Sequence, residues 1–499
     1  MKLFWGDLHN HCAISYGSST LPRALANARA HLDFCTITGH AFWPDMPMDL
    51  KTQDGIIAMH LGGFEKLRHY WKEALLQMEA ANEPGRFIVL PSYEWHSMAY
   101  GDYNCYLPQF DVPLVGAPTL PELITALEAE GRPFMLLPHH CGYPQGYRGT
   151  RWEAFDERVS PLAEIYSNHG CCEADDAPYE YHHSMGPRTG VSTLREALVQ
   201  GKRFGFYAST DSHDGYPGHY GHGITAVQAE KLTLGEIWKA LRERRTIAGT
   251  GARIGIAHRL GNTELGGIHP VGGTPPPWHL AVEGTAPLLR VDSIEGSDGE
   301  WSVRPLPLPP RRSTFRTGRY KVRIEAGWGR GAQLSRWEVD LRLLSGTLLG
   351  ATPCFRHAAH PLAEEEATEC LETIADNRLR WRCHAAPNPA GQMGGTHFHS
   401  GGTQSILLDL DANAATRLRL QYGSTTLELP FPDLCRRSFA QPAGSFGSSA
   451  LKVHRASPEA EWTLTHEEAF TPTNAPGFRY IRVLQADGHV AWSSPIWWE

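Results

Sequence analysis

Met1-Lys2-Leu3-Phe4-Trp5-Gly6-Asp7-Leu8-His9-Asn10-His11-Cys12 opens the chain and decides how the rest is read. Leu3, Phe4 and Trp5 read as a short buried strand. Strand side chains alternate faces, so His9 and His11, two residues apart, project to the same side. A strand that runs straight into a His-x-His pair offers two imidazoles to one metal ion.

Later strands end the same way. Phe34-Cys35-Thr36-Ile37-Thr38-Gly39-His40 closes on an imidazole, and Phe87-Ile88-Val89-Leu90-Pro91-Ser92-Tyr93-Glu94 on a carboxylate. Phe134 to His140, Ala163 to His169, and Gly205 to His213 with its Asp211-Ser212-His213 terminus repeat the pattern. Between them the apolar spacing predicts helices. One begins at a hydroxyl cap and early proline (Ser19-Thr20-Leu21-Pro22), and one over about 63–82 carries Phe64, Leu67, Trp71, Leu75 and Met78. Others fall near 119–130, 192–200 and 234–245. Tyr103 to Leu107 reads as a hairpin-like segment. Strand and helix alternate with chemistry at each strand's C-terminal end, the expectation for a parallel α/β barrel with its active site on that face.

Beyond about residue 256 the texture changes to short alternating segments, such as 279–283 and 320–324, separated by Gly and Pro clusters. The proline-rich stretch 305–312 reads as a loop or linker, and 478–483 with 491–498 as a closing hairpin. The expectation is two domains, a barrel over 1–255 and a β-sandwich-like domain over 256–499. With 499 residues, either part is long enough to bury a core.

A net charge of -8 gives no electrostatic reason to expect nucleic acid or an anionic membrane as partner. No leader-like N-terminus and no apolar run of bilayer length is present, so the expected location is the cytoplasm. The ten cysteines are scattered, with one adjacent pair, Cys171-Cys172, and read as reduced thiols. The bias is toward imidazole, with 26 histidines.

Taken in order, HxH, a strand-end His, a Glu, two further His and a DxH resemble the PHP superfamily, named for polymerase-associated and histidinol phosphatase domains. The resemblance covers residues 1 to about 255. Leu90-Pro91-Ser92-Tyr93-Glu94-Trp95 and the Trp-Ser-Ser-Pro-Ile-Trp tail are similar to a branch that appends a β-rich domain. It implies a distorted (β/α)7 TIM-like barrel and two or three divalent ions (Zn, Mn or Fe). His9, His11, Glu94 and Asp211 would hold one ion. Glu94, His169 and one of His139 and His140 would hold a second; successive strand residues face opposite ways, so the other histidine would cap the barrel or orient a ligand. His40 and His213 would hold a third. Thr38-Gly39-His40 departs from the family's Thr-Asp-His, and Gly17, Ser18 and Ser19 occupy the window where a further His or Asp is expected.

The implied chemistry is hydrolysis of a small phosphate mono- or diester by a metal-bridged hydroxide, with Glu94 at the centre and Asp211 or His213 moving the proton. Arg148 and Arg151, in the loop after the 134–140 strand, are the candidates for gripping an anionic substrate. The same site could act on a C–N or carboxylic ester bond, or the chain could be a metal-stabilised binding module; a homo-oligomer is compatible with any of these readings. Asp7, Asn10 and Glu164 are expected to support the site rather than ligate. His397-Phe398-His399 reads as a surface hairpin. His182, His183, His219 and His222 read as loop residues over the barrel, and Gly215 to Gly223 as a weak anion cradle.

Overall fold

Strand β1 (Lys2–Asp7) lies inside the largest sheet, flanked on one side by β2 (Phe34–Thr36) in parallel register and on the other by an antiparallel strand, 224–229. The computed structural model describes residues 1–181, 183, 185–272, 275–311, 314–329, 335–356, 369–385, 402–470 and 475–499. It is a mixed α/β molecule built mostly of sheet. His182, His397, His399 and Arg312 lie outside the described residues.

The strand read over 34–40 is broken into β2 and β3 (Gly39–Phe42), and the strand read over 87–94 into β4 (Ile88–Leu90) and β5 (Ser92–Trp95). Pro91, with no N–H to donate, marks the second break. As a result β2 pairs with β1 and β4 with β2 in one sheet, whereas β3 and β5 join a separate sheet with β6 (Asp102–Tyr106) and β7 (Met135–His139). A third sheet holds β8 (Leu162–Ser167), β9 (Gly170–Cys171) and β10 (Gly205–Ala208). The 224–229 strand is β11 (Ile224–Ala229), followed by β12 (Thr246–Gly249).

This corrects the expectation of a uniformly parallel barrel. The hairpin-like segment 103–107 is strand β6, antiparallel to both β5 and β7, and β11 is antiparallel to β1 and β12. Among the described residues the ladders of β1 to β12 are divided over three sheets and do not close into one ring.

The helices fall close to their sequence signals. Helix α1 (Leu21–Arg29) is capped by the Thr20 hydroxyl, which accepts the Arg23 N–H, with a proline in the first turn. Helix α2 (Leu50–Ala80) starts well before the predicted residue 63 and buries Phe64, Leu67, Trp71, Leu75 and Met78. Helices α3 (Leu120–Ala129), α4 (Leu194–Val199) and α5 (Leu234–Arg242) complete this half.

The chain beyond 255 forms a nine-stranded antiparallel sheet centred on two long strands, Ser335–Cys354 and Thr403–Tyr422, and a four-stranded sheet around Gly255–Leu260 and Pro277–Glu283. The closing strands return to the first half: Val490–Ser493 pairs antiparallel with β12, placing Ile247 opposite Ser493. One apolar cluster accordingly holds Trp5 and Ile224 together with Trp278, Ile481 and Trp498.

A buried carboxylate pins the same junction. Glu173 accepts from the Arg195 guanidinium (3.1 Å), the Tyr480 hydroxyl (2.8 Å), the Arg482 guanidinium (3.1 Å) and the Trp492 indole N–H (2.8 Å). All ten cysteines are unpaired thiols. No helix of the described residues is long and apolar enough to cross a membrane.

Candidate metal centre

The histidine pair after β1 meets the DxH segment after β10 because the two stretches run side by side. The Asp211 N–H donates to the His9 carbonyl (2.7 Å) and the His11 N–H to the Ser212 carbonyl (2.8 Å), flanking a parallel bridge between Asn10 and Ser212. Asp7 stands behind them, accepting from the His9 N–H (3.1 Å), the Thr210 N–H (3.1 Å) and hydroxyl (2.6 Å), and the Gly218 N–H (2.9 Å). It therefore orients His9 through the backbone and not through the ring. Burial pushes its carboxyl up to about 6. His11 Nε2 lies 3.1 Å from His9 Nε2 and 3.1 Å from Asp211 Oδ1, and His9 Nε2 is 3.4 Å from that same oxygen.

Sheet register supplies the other wall. His40 is the cross-strand partner of Glu94, and Asp102 that of His139. Glu94 Oε2 is 3.4 Å from His40 Nε2, 3.5 Å from His11 Nε2 and 3.8 Å from His9 Nε2. Its other oxygen is 2.9 Å from His139 Nε2 and 3.3 Å from His96 Nδ1. His169, just beyond β8, sets Nε2 2.8 Å from Asp211 Oδ2 and Nδ1 2.7 Å from the Tyr143 hydroxyl. His213 stands at the open side, its ring 4.3 Å from His11 and 5.2 Å from His40.

The alternation argument for His139 and His140 fails on a local detail. His140 lies past the end of β7 with φ of 33°, in the left-handed region, where the period of two no longer applies. Both imidazoles consequently face the cluster, and the donor atoms of Glu94, Asp102, His139 and His140 fall within 4.8 Å of one another. The triads His9–His11–Asp211, His40–Glu94–His96, His11–His40–His213 and His140–His169–Asp211 meet the same criterion.

Supporting residues account for much of the rest. Glu164 accepts from the His140 N–H (3.0 Å) and lies 3.2 Å from His9 Nδ1, with the Ser209 hydroxyl also upon it, which orients the His9 ring. Asn10 is structural, donating to the Thr36 carbonyl (2.7 Å). Cys172 donates its thiol to the Glu164 carbonyl (2.7 Å). The Gly215 and Gly218 N–H groups go to the His11 carbonyl and to Asp7, so the glycine loop closes on the chain's own acceptors. His183 stacks on His169 at 4.0 Å, and His219 stacks on His222 at 3.7 Å.

The two arginines read as substrate grips are engaged by the protein's own groups. Arg148 turns its guanidinium onto buried Asp102 (Nε to Oδ2, 2.8 Å), touches His96 Nδ1 (3.0 Å) and lies over the Trp43 ring. Its planar fork is therefore spent on a carboxylate of the protein. The Arg151 side chain is 51% exposed, 4.0 Å from Glu153 and over Tyr100, away from the imidazole cluster.

His96 and Asp102 are the residues the sequence reading passed over. The spacing Glu94-Trp95-His96 is the same period-two signal as His9-Asn10-His11, and it was legible. Asp102 required the antiparallel β6–β7 register.

The electrostatics follow from burial. Burial pushes the Glu94 carboxyl up, but His96, His40 and His139 outweigh it and hold the group well below the ordinary range. Asp211 is held down in the same way by His9 and His169, and Asp102 by Arg148 and His96. Burial and neighbouring imidazoles keep His40 and His140 well below their usual values, while Asp211 and Glu164 overcome burial at His9 and raise it.

The donor set fits divalent cations. Neither Glu94 nor Asp211 has a lysine or arginine ion-pair partner among the described residues, so the two buried carboxylates face imidazoles alone. Buried charges need a partner or a metal, and imidazole with carboxylate is a donor combination transition ions accept.

No family model matches the sequence. Two curated proteins, an uncharacterized protein of Chlamydia muridarum and one of Chlamydia trachomatis serovar D, are each 27% identical over an alignment of 168 residues that covers 30% of this chain. The match spans 27% of those relatives' own length. Among solved structures, a Bacteroides vulgatus two-domain protein containing a predicted PHP-like metal-dependent phosphoesterase is similar at 14% identity with a TM-score of 0.31. That similarity covers 59% of this chain and 78% of the other.

Proposed function

We propose that this chain is a metal-dependent hydrolase of the PHP type, a phosphoesterase acting on a small phosphate mono- or diester. The observation that carries the reading is Glu94, one buried carboxylate whose two oxygens face separate imidazole groups, His9, His11 and His40 on one side and His139 and His96 on the other. A carboxylate so placed can be shared by two cations.

In this reading His9, His11, Glu94 and Asp211 hold one ion, and Glu94, His169 and one or both of His139 and His140 hold a second. His40 and His213 serve a third. Zinc, manganese or iron suits such donors. Ions bound there would acidify water to a nucleophile at neutral pH and neutralise charge on phosphoryl oxygens.

The chain's own groups do the rest. Glu164 fixes the His9 ring, and Ser15, 3.0 Å from His40 Nδ1, fixes the His40 ring. Asp102 and Arg148 form a neutral pair that walls the site beside His96 and His140. His213, the exposed imidazole at the mouth, is placed to relay a proton from water to the leaving oxygen when it holds no ion.

The distorted (β/α)7 barrel over 1–255 with a β-rich part over 256–499 belongs to the same proposal. Its support is that β7 packs beside β8 and β10 beside β12, bringing the edges of the three N-terminal sheets together. Protein loaded with Mn or Zn and assayed on p-nitrophenyl phosphate, bis-p-nitrophenyl phosphate and a panel of amides and carboxylic esters tests the reading. Phosphate-ester turnover that disappears in His11→Ala supports it. Turnover confined to amides or esters replaces it with a C–N or ester hydrolase, and none on any substrate leaves a metal-stabilised binding module.

A further inference from the structure

A cavity of about 610 Å³ opens on the four-stranded sheet of the C-terminal half where it meets β11. Its position is far from the imidazole cluster. Gln228, on its wall, pairs with Leu3 at the start of β1, whereas His9 follows that strand's other end. At ~3.3 Å per residue the separation along β1 is about 20 Å.

Register explains the hollow. Ala257, Ala281 and Thr465 stand side by side across three strands and make a floor of small side chains. The next row is charged. Glu264, Arg259, His279 and Glu467 follow one another across four strands, and His279 Nδ1 pairs with Glu467 at 3.2 Å.

The remaining pair is left open. Arg259 and Glu264 are directly opposed, a position that puts their Cβ atoms roughly 5 Å apart, yet among the described residues the Arg259 guanidinium makes no ion pair or hydrogen bond. Glu264 Oε2 and Gln228 Oε1 are buried and accept no hydrogen bond from the described residues. A cation donor and two acceptor oxygens thus border one cavity of ligand size, and buried acceptors left unmet are costly.

We propose that this cavity is a second ligand site, for a small zwitterion of the α-amino acid class. The ligand's carboxylate pairs with Arg259, and its ammonium donates to Glu264 and Gln228. One charge of either sign would satisfy only half of the lining. The small floor leaves room for the ligand's side chain. A bound molecule touches both β11 and the C-terminal sheet.

Calorimetry and thermal melts of the full chain with glycine, L-glutamate and L-arginine test this, with acetate, methylammonium and glycine methyl ester as single-charge controls. The expected result is saturable binding of at least one amino acid, and binding of the controls weaker by roughly 10-fold or more. Arg259→Gln and Gln228→Leu each weaken that binding by roughly 10- to 100-fold. Arg259 is exposed and unpaired, so Arg259→Gln leaves the unliganded melting temperature unchanged, and His11→Ala binds the amino acid as the parent does. The proposal is overturned if no amino acid binds up to roughly 10 mM, if a single-charge control binds equally well, or if Arg259→Gln binds like the parent. None of these readouts depends on metal or turnover.

Discussion

Replacing Glu173 by Gln keeps the side chain's shape and removes its charge, so it isolates what that carboxylate contributes at the junction of the two halves. In the parent, Oε1 accepts from Arg195, Tyr480 and Arg482, and Oε2 from Arg482 and the Trp492 indole. An amide retains one acceptor oxygen, and its NH2 then faces two donors. Arg195 keeps Asp176 at 2.9 Å and Arg482 keeps Asp292 at 2.9 Å, so neither guanidinium is stranded completely. Removing one partner of a buried pair costs about 3–5 kcal/mol. At about 2–4 °C per kcal/mol for a large domain, the melting temperature falls by roughly 6–20 °C. The exposed pair Arg132–Asp111 is the control, and Asp111→Asn should leave the melt unchanged.

The pH dependence has a definite sign. Burial raises the Glu173 carboxyl, but Arg482 and Arg195 overcome it, so its folded value lies below the ordinary 4.5. The stabilisation is complete above that value and is lost as pH falls through the lower, folded one. The gap between parent and variant therefore narrows in acid. A Glu173→Gln protein melting within roughly 2 °C of the parent at neutral pH, or a gap that widens in acid, refutes the assignment.

Glu94→Gln should retain at least one ion fewer per chain by elemental analysis, because a single carboxylate touches both imidazole groups. Glu164→Gln should keep its fold and lose roughly 10- to 100-fold in metal affinity, as expected for a group that orients a ligating ring, measured by competition with a chromogenic chelator. Gly6→Ala should lower the melting temperature, since a Cβ there would sit 2.4 Å from the Phe34 ring and from its carbonyl oxygen. The cost is about 1–3 kcal/mol. Treatment with a chelator should abolish phosphoesterase turnover, and added Mn or Zn should restore it.

The strand ends were legible because period-two spacing survives without knowledge of the fold. His9 with His11 and Asp211 with His213 were readable as pairs, and parallel pairing of the two segments then brings them together. Glu94 was legible as a carboxylate ending an apolar run. What failed were the inferences that needed a φ value or a distant register. The left-handed conformation of His140 turns a side chain that extended geometry sends away. Asp102 joins the site through an antiparallel strand between parallel ones, and once it is there Arg148 pairs with it and is lost as a free substrate grip. In the second half, alternation located strands such as 320–324 and 478–483. Nothing local says that Val490–Ser493 lies against β12, over 240 residues away in the chain.

That distant pairing bears on the site. The strand carrying Asp211 is β10, and its Phe206 N–H donates to the hydroxyl of Ser494, just past the Val490–Ser493 strand (3.0 Å). Thr246 of β12 meets the same hydroxyl at 2.8 Å and donates to the Phe206 carbonyl at 2.7 Å. Three segments, 206, 246 and 494, thus share one small hydrogen-bonded knot below the DxH terminus. Trp492, adjoining it, donates to Glu173, only four residues after His169. The last strands of the chain therefore brace the two strand ends that deliver Asp211 and His169. Cation-binding geometry tolerates little displacement of such ligands, so in the proposed centre the C-terminal strands would act mechanically, through the rigidity of β8 and β10.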